Sequence, residues 1–127
     1  MNEARFLRAN ELMIGDWVKL WPPKGSMSLP TIFRIQDSMD LDFAECGRFE
    51  AIRLTSAVLD KFGFIEKHMR KRLQYMVGNS SFVIECVPPR NLSVYMNEEY
   101  AGSFEILYVH ELQHLLKLLK IEKDIVL

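Results

Sequence analysis

Long apolar runs are missing from this sequence. None approaches the roughly 20 residues that a helix needs to cross a bilayer, so a cytoplasmic protein without membrane contact is expected. Cysteine is scarce. Cys46 and Cys86 are isolated, form no C-x-x-C pair and follow no signal-like segment, which predicts a reduced intracellular setting and no disulfide. An excess of one charge is also absent: sixteen Lys plus Arg stand against seventeen Asp plus Glu, a net charge of -1. No global field therefore pulls the chain onto nucleic acid or an anionic membrane, and any such binding has to use a local patch. Glycine-rich phosphate loops, the G-x-S-x-G elbow of hydrolases and calcium loops do not occur. Nor does any internal repeat, low-complexity tract or linker.

What is present suits an ordinary folded domain. The chain has 127 residues, 49% hydrophobic and 26% charged, enough for one core and close to the average of folded soluble chains. Residues 1–9, with Arg5 and Arg8 among few apolar side chains, read as a loosely held lead-in. Gly15 and Asp16 then form a turn into a strand carrying Trp17, Val18, Lys19, Leu20 and Trp21, which Pro22 and Pro23 stop. Thr31, Ile32, Phe33, Arg34 and Ile35 return as a second strand, and residues 37–42 read as an acidic turn. A third strand is expected near 41–46 and a fourth over 49–54, on either side of Gly47 and Arg48. Together these make a small antiparallel N-terminal sheet or partial barrel.

A short helix near 56–62 has complete punctuation. Thr55 is its N-cap, Leu54 can pack on Leu59 as a staple, Gly63 supplies a left-handed end, and Phe64 can fold back onto Leu59. With Phe62 these residues should form one packed unit. Two C-terminal hairpins follow: 73–77 with 82–87 around a turn at 78–81, and 92–96 with 104–107 around 97–102, separated by Pro88, Pro89, Arg90 and Asn91. A long amphipathic helix near 108–121, apolar at 108, 112, 115, 116 and 119, closes the chain. The fold class is α+β with mostly antiparallel strands. It is a single domain over 1–127, divisible into a β-rich N-terminal half (10–54) and an α+β C-terminal half (55–127).

The last helix also carries the one catalytic motif. His110, Glu111 and His114 match H-E-x-x-H, in which two imidazoles one turn apart bind zinc and the Glu is a general base. The helical wheel argues against it. The apolar stripe centres on Leu112 and Leu119, leaving His110, His114 and Lys117 on the far side, so the histidines are expected to face water. Lys117 would oppose a cation, and Lys117 and Lys120 replace the glycine and third His of the extended metzincin pattern. Glu122, Asp124 and His68 are the remaining candidate ligands. The expectation is no catalytic residue, no metal and no cofactor.

The run Lys67, His68, Met69, Arg70, Lys71 and Arg72 is the concentrated basic stretch. Contact with phosphates through Lys67, Arg70, Lys71 and Arg72, with Tyr75 stacking, is one reading; a solvated connection before a strand is the preferred one. Trp17 and Trp21 are read as packing residues in preference to exposed anchors for a partner. Cys46 and Cys86, set in apolar strands without a neighbouring base, are read as small core residues.

Three stretches carry a resemblance: E-L-M-I-G-D-W-V over 11–18, residues 54–64 from Leu54 and Thr55 to Gly63 and Phe64, and F-E-I at 104–106 with Y-V-H-E-L-Q at 108–113. In order and spacing, along most of the chain, they resemble a family of small proteins of unknown function from Bacteroidetes genomes and their mobile elements. The resemblance brings no activity. The family's final stretch is similar to Y-V-H-x-L-Q-N-L, with Gln and Asn where this chain has Glu111 and His114. The resemblance thus implies a helix that packs and a motif peculiar to this sequence. The functional expectation is a non-enzymatic interaction or accessory protein of the bacterial cytoplasm with a protein partner. The alternatives are a small zinc-dependent hydrolase and a weak nucleic-acid-binding module.

Overall fold

Glycine and aspartate begin the first sheet. In the computed structural model, which describes residues 4–87, 91–123 and 125–127, Asp16 N–H donates to Met13 O (3.1 Å) across a turn whose third residue, Gly15, has φ 100°. That left-handed position is one glycine occupies at no steric cost. The break at Pro88, Pro89 and Arg90, the candidate ligand Asp124 and the first three residues of the lead-in lie outside the described residues. The chain divides into two compact units, Met1–Arg53 with Tyr108–His114 and Leu54–Leu107 with Leu115–Leu127. The class is α+β: among the described residues there are three α-helices and eight strands in two antiparallel sheets.

The first unit holds β1 (Trp17–Leu20), β2 (Thr31–Arg34) and β3 (Phe49–Ala51), in the order β2-β1-β3. Val18 pairs with Phe33 on one side and with Ala51 on the other. The lead-in is held, contrary to expectation. Leu7 N–H donates to Phe49 O and Ala51 N–H to Arg5 O, each at 2.8 Å, adding residues 5–7 alongside β3. The period-two rule then buries Leu7 completely and exposes Phe6. The strand expected near 41–46 is instead helix α1 (Ser38–Phe43) followed by a 3-10 turn, Ala44–Cys46. Asp37 caps it by accepting from Asp40 N–H at 3.0 Å. Cys46 consequently lies exposed in that turn, not in a core strand, whereas Cys86 is buried as expected. The fourth strand stops at Ala51, and Arg53 keeps an isolated bridge to Tyr108. Trp17 is buried and Trp21 is partly exposed, its Nε1 donating to Glu50 Oε1 at 2.7 Å.

The second unit opens with α2 (Ser56–Lys61), whose punctuation follows the sequence reading closely. Thr55 Oγ1 accepts from Val58 N–H (3.3 Å). At the other end Gly63 N–H donates to Asp60 O (3.0 Å) and Phe64 N–H to Leu59 O (3.1 Å), a Schellman pair closed by Gly63 at φ 94°. Leu59, Phe62 and Phe64 are all buried. A meander follows: β4 (Ile65–Lys67), β5 (Arg70–Val77), β6 (Ser80–Val87), β7 (Asn91–Met96) and β8 (Glu99–Glu105), paired in sequence order. β4 was not expected, and β5 begins inside the basic run. The two residues between them, His68 and Met69, take φ 53° and 64°, and Asn97 and Glu98 between β7 and β8 take 51° and 70°. Both are two-residue left-handed turns without the glycine that usually announces them. The hairpin expected at 92–96 with 104–107 is therefore longer and tighter.

Each face of this sheet has its own chemistry. On one, Leu73, Ile84 and Val94 line up across three strands and are buried, and Phe82, Cys86 and Leu92 flank them. Lys71 and Tyr75 share that face: Lys71 Nζ meets Asp60 Oδ1 at 2.7 Å, and Tyr75 Oη donates to Glu122 O at 3.0 Å. The opposite face carries Arg72, Gln74, Met76, Glu85, Tyr95 and Tyr100, with Gln74, Met76 and Tyr100 exposed. Helix α3 (Val109–Leu118) begins in the first unit and ends in the second. Among the described residues no helix is long and apolar enough to cross a membrane.

Candidate functional site

The H-E-x-x-H residues lie in the first unit, and each is engaged there. Glu111 Oε1 accepts from Tyr108 N–H at 3.1 Å, the return half of a capping box at the start of α3. His114 Nε2 lies 2.6 Å from Asp16 Oδ2, which also accepts from Met13 N–H at 2.8 Å. Between them in sequence, Gln113 donates to Gly15 O (2.8 Å) and accepts from Trp17 N–H (2.9 Å), so its amide takes both backbone groups flanking Asp16. Asp16 is wholly buried. An ionised carboxylate there needs partners for its lost hydration, and His114 and the turn N–H supply them on one oxygen.

The expectation that the histidines face water is overturned. His110 is 3% exposed and the His114 side chain 30%. The apolar stripe lies where the helical wheel puts it and Lys117 is exposed as expected, but at His114 and Gln113 the turn before β1 covers the far face with polar groups. The His110 ring stacks on Tyr108 (centroids 6.0 Å) and meets His114 edge-on (5.6 Å), while Arg5 and Arg53 lie over Tyr108. Burial holds the His110 pKa below its ordinary value, against the pull of Asp16 and Glu111. Asp16 Oδ1 and His110 Nδ1 are both buried without a hydrogen-bond partner. Nearby, burial would raise the Glu11 pKa, but the Arg8 N–H and the Arg5 guanidinium outweigh it and hold that carboxyl low. Among the described residues no three His, Cys, Asp or Glu side chains are grouped to hold a metal ion. His68 sits in the β4 to β5 turn and Glu122 beyond α3, both exposed and both in the second unit.

The basic run forms a second constellation, different from the one its spacing suggested. Lys67, His68, Arg70 and Arg72, with Glu85, line a depression of about 300 Å³, and Lys67 and Arg72 also border a smaller one of about 190 Å³. Arg70 Nη1 donates to Glu85 Oε2 at 3.2 Å, and Arg72 Nε stands 3.9 Å from Oε1. Strand alternation removes Lys71 from the group. It is bound to Asp60 on the other face, and that hydrogen bond raises its pKa. Tyr75 leaves the group for the same reason. Its place on the open face is taken by Tyr95 and Tyr100, paired edge-on at 5.8 Å, with Tyr100 Oη 2.6 Å from Ser103 Oγ. The sequence reading puts Tyr100 in a loop, and plain alternation over 99–105 would put it on the face of Phe104; the register shift beside Val94 and Tyr95, which has no local sequence signal, turns it to the open face.

Comparison with known proteins finds no matching family model, no matching curated protein and no matching solved structure.

Proposed function

We propose that the chain is a non-enzymatic interaction protein of the bacterial cytoplasm whose partner is single-stranded nucleic acid, held on the open face of the five-stranded sheet. One observation carries this reading: Lys67, Arg70 and Arg72 gather around a depression on the face that also presents Tyr95 and Tyr100. Guanidinium forks suit phosphate oxygens, and aromatic rings accept any base by stacking. Arg72 and Tyr95 stand two strands and one same-face step apart, about 12 Å from standard strand spacings, so one extended strand can touch both. The sequence alone points to a protein partner; cations sharing a sheet face with the exposed Tyr100 and the half-buried Tyr95 favour a polyanion with stackable bases. With about three phosphates engaged, the affinity should fall with a log–log salt slope near −2 and discriminate little among sequences.

The hydrolase alternative has less behind it, because Glu111 serves the helix start and His114 serves Asp16. Near-stoichiometric zinc in protein purified without a His tag, lost in both His110→Ala and His114→Ala, would reinstate it. Membership of the Bacteroidetes family belongs to the same reading and is supported by the order and spacing of the three stretches. The cytoplasmic setting is supported by two unpaired thiols.

Fluorescence anisotropy with labelled single-stranded DNA and RNA of about 12 nucleotides tests the proposal. Neutralising Lys67, Arg70 and Arg72 together should weaken binding at least about tenfold and flatten the salt slope. Replacing Tyr95 and Tyr100 by Ala should weaken binding without changing that slope. Binding untouched by either set of changes would refute the assignment of the face.

A further inference from the structure

We infer that Glu85 is a built-in competitor for an oxyanion: its carboxylate occupies the place that a phosphate of the ligand takes in the β4 to β5 depression. The identity of that ligand rests on the reading above; the anion site itself does not. Glu85 lies directly opposite Arg72 across the β5 and β6 pair, and Arg72 lies opposite Ile65 of β4, so regular sheet holds the participants on three adjacent strands. Lys67 is placed opposite Arg70 by the left-handed turn at His68 and Met69. Non-glycine residues in that conformation carry strain, and such strain concentrates at binding and switching sites.

The charge balance inside the depression is uneven. Lys67, Arg70 and Arg72 face a single carboxylate, and that carboxylate hydrogen-bonds one guanidinium while falling short of the other. Arg72 Nε is buried with no hydrogen-bond partner, a donor its surroundings leave unsatisfied. A phosphate brings three acceptor oxygens where Glu85 brings two, and it can meet Arg70 and Arg72 together with Lys67 to spare. The Glu85 side chain is 18% exposed, so as the phosphate enters it has to swing aside or stay as a like charge that weakens binding. Either way Glu85 sets a threshold: in its absence the site takes any phosphate more tightly, and in its presence it favours ligands with additional contacts, such as bases on Tyr95 and Tyr100.

A purely structural ion pair would behave in the opposite sense. If Glu85 only steadies the two arginines, its loss disorders them and weakens anion binding. The experiment is a titration of the full chain with inorganic pyrophosphate, followed by NMR through the Arg Nε–H signals and the Glu85 side-chain carboxyl carbon. In the unmodified protein, saturable shifts at Arg70 and Arg72 with a concerted move of the Glu85 carboxyl resonance are expected. Glu85→Gln should bind pyrophosphate about five- to tenfold more tightly, from the removal of one nearby negative charge. Equal or weaker binding by a folded Glu85→Gln variant overturns the inference. So does a Glu85 resonance that stays still while pyrophosphate binds, a readout that needs no variant. Pyrophosphate binding without oligonucleotide binding would uphold the anion site and remove the nucleic-acid reading; oligonucleotide binding without any pyrophosphate response would do the reverse.

Discussion

Asp16 brings a carboxylate to a position without solvent, and His114 makes that placement tolerable. Replacing His114 by Ala leaves the turn N–H of Met13 as the remaining partner seen on Oδ2. It should cost about 1.5–3 kcal/mol, the range for a hydrogen bond to a charged group. Urea unfolding checks this; a loss under about 0.5 kcal/mol would mean that water takes over the role of the imidazole. His110 supplies a pH dependence of known sign. Its folded pKa lies below the ordinary 6.5, so the unfolded chain binds the proton first. The stability it contributes is complete above about pH 6.5 and is lost as pH falls from there through the lowered folded value. His110→Phe keeps a ring against Tyr108 and removes the titration. The variant should therefore gain on the parent between about pH 7.5 and about pH 5. A difference in unfolding free energy that is constant across that interval would contradict the burial of His110. None of this could be read locally. The H-E-x-x-H spelling is visible in sequence, but the partner that gives His114 its role is 98 residues away.

The elements differ in how openly the sequence announces them, and the difference follows from how local their determinants are. Helix α2 has its cap, its left-handed glycine and the buried Leu59, Phe62 and Phe64 all inside residues 54–64, with Leu54 and Val58 half-buried beside them. Leu59→Ala should cost about 2–5 kcal/mol in urea unfolding, because its side chain is buried against the end of the helix. In α1, by contrast, alternating Leu41 and Phe43 imitate a strand, and the cap at Asp37 decides the outcome. The sheet of the second unit hid two of its turns because His68, Met69, Asn97 and Glu98 replace the expected glycines. Helix α3 ends in the same unannounced way. Lys120 sits at φ 59°, with Ile121 N–H donating to Leu116 O (2.8 Å) and Lys120 N–H to Lys117 O (3.0 Å). Lys120→Gly should stabilise the protein by about 1 kcal/mol, since glycine takes that conformation without strain. A neutral or destabilising result in thermal unfolding would show that the Lys120 side chain contributes contacts that offset the strain.

For the molecule as a whole, the fold class and the dominance of antiparallel strands were legible because hydrophobic alternation and turn residues recur throughout the chain. Candidate binding groups were only half legible. Spacing alone put Lys67, Arg70, Lys71 and Arg72 together, whereas the pleat sends Lys71 to Asp60 on the far face and brings in Glu85 from the neighbouring strand. A chain with a net charge of -1 can still present a basic depression, because pairing in register sorts charges by face and not by sequence block. The binding surface proposed above is the exposed side of the β4 to β8 sheet. Amide and aromatic shift mapping of labelled protein with an unlabelled single-stranded oligonucleotide of about 12 nucleotides at low salt tests it most directly. Saturable shifts are expected at Lys67, Arg70, Arg72 and Glu85 and on the Tyr95 and Tyr100 rings, fading as salt is raised. Shifts confined to His110, Glu111, His114 and Asp16, or no saturable shift anywhere, would contradict this assignment.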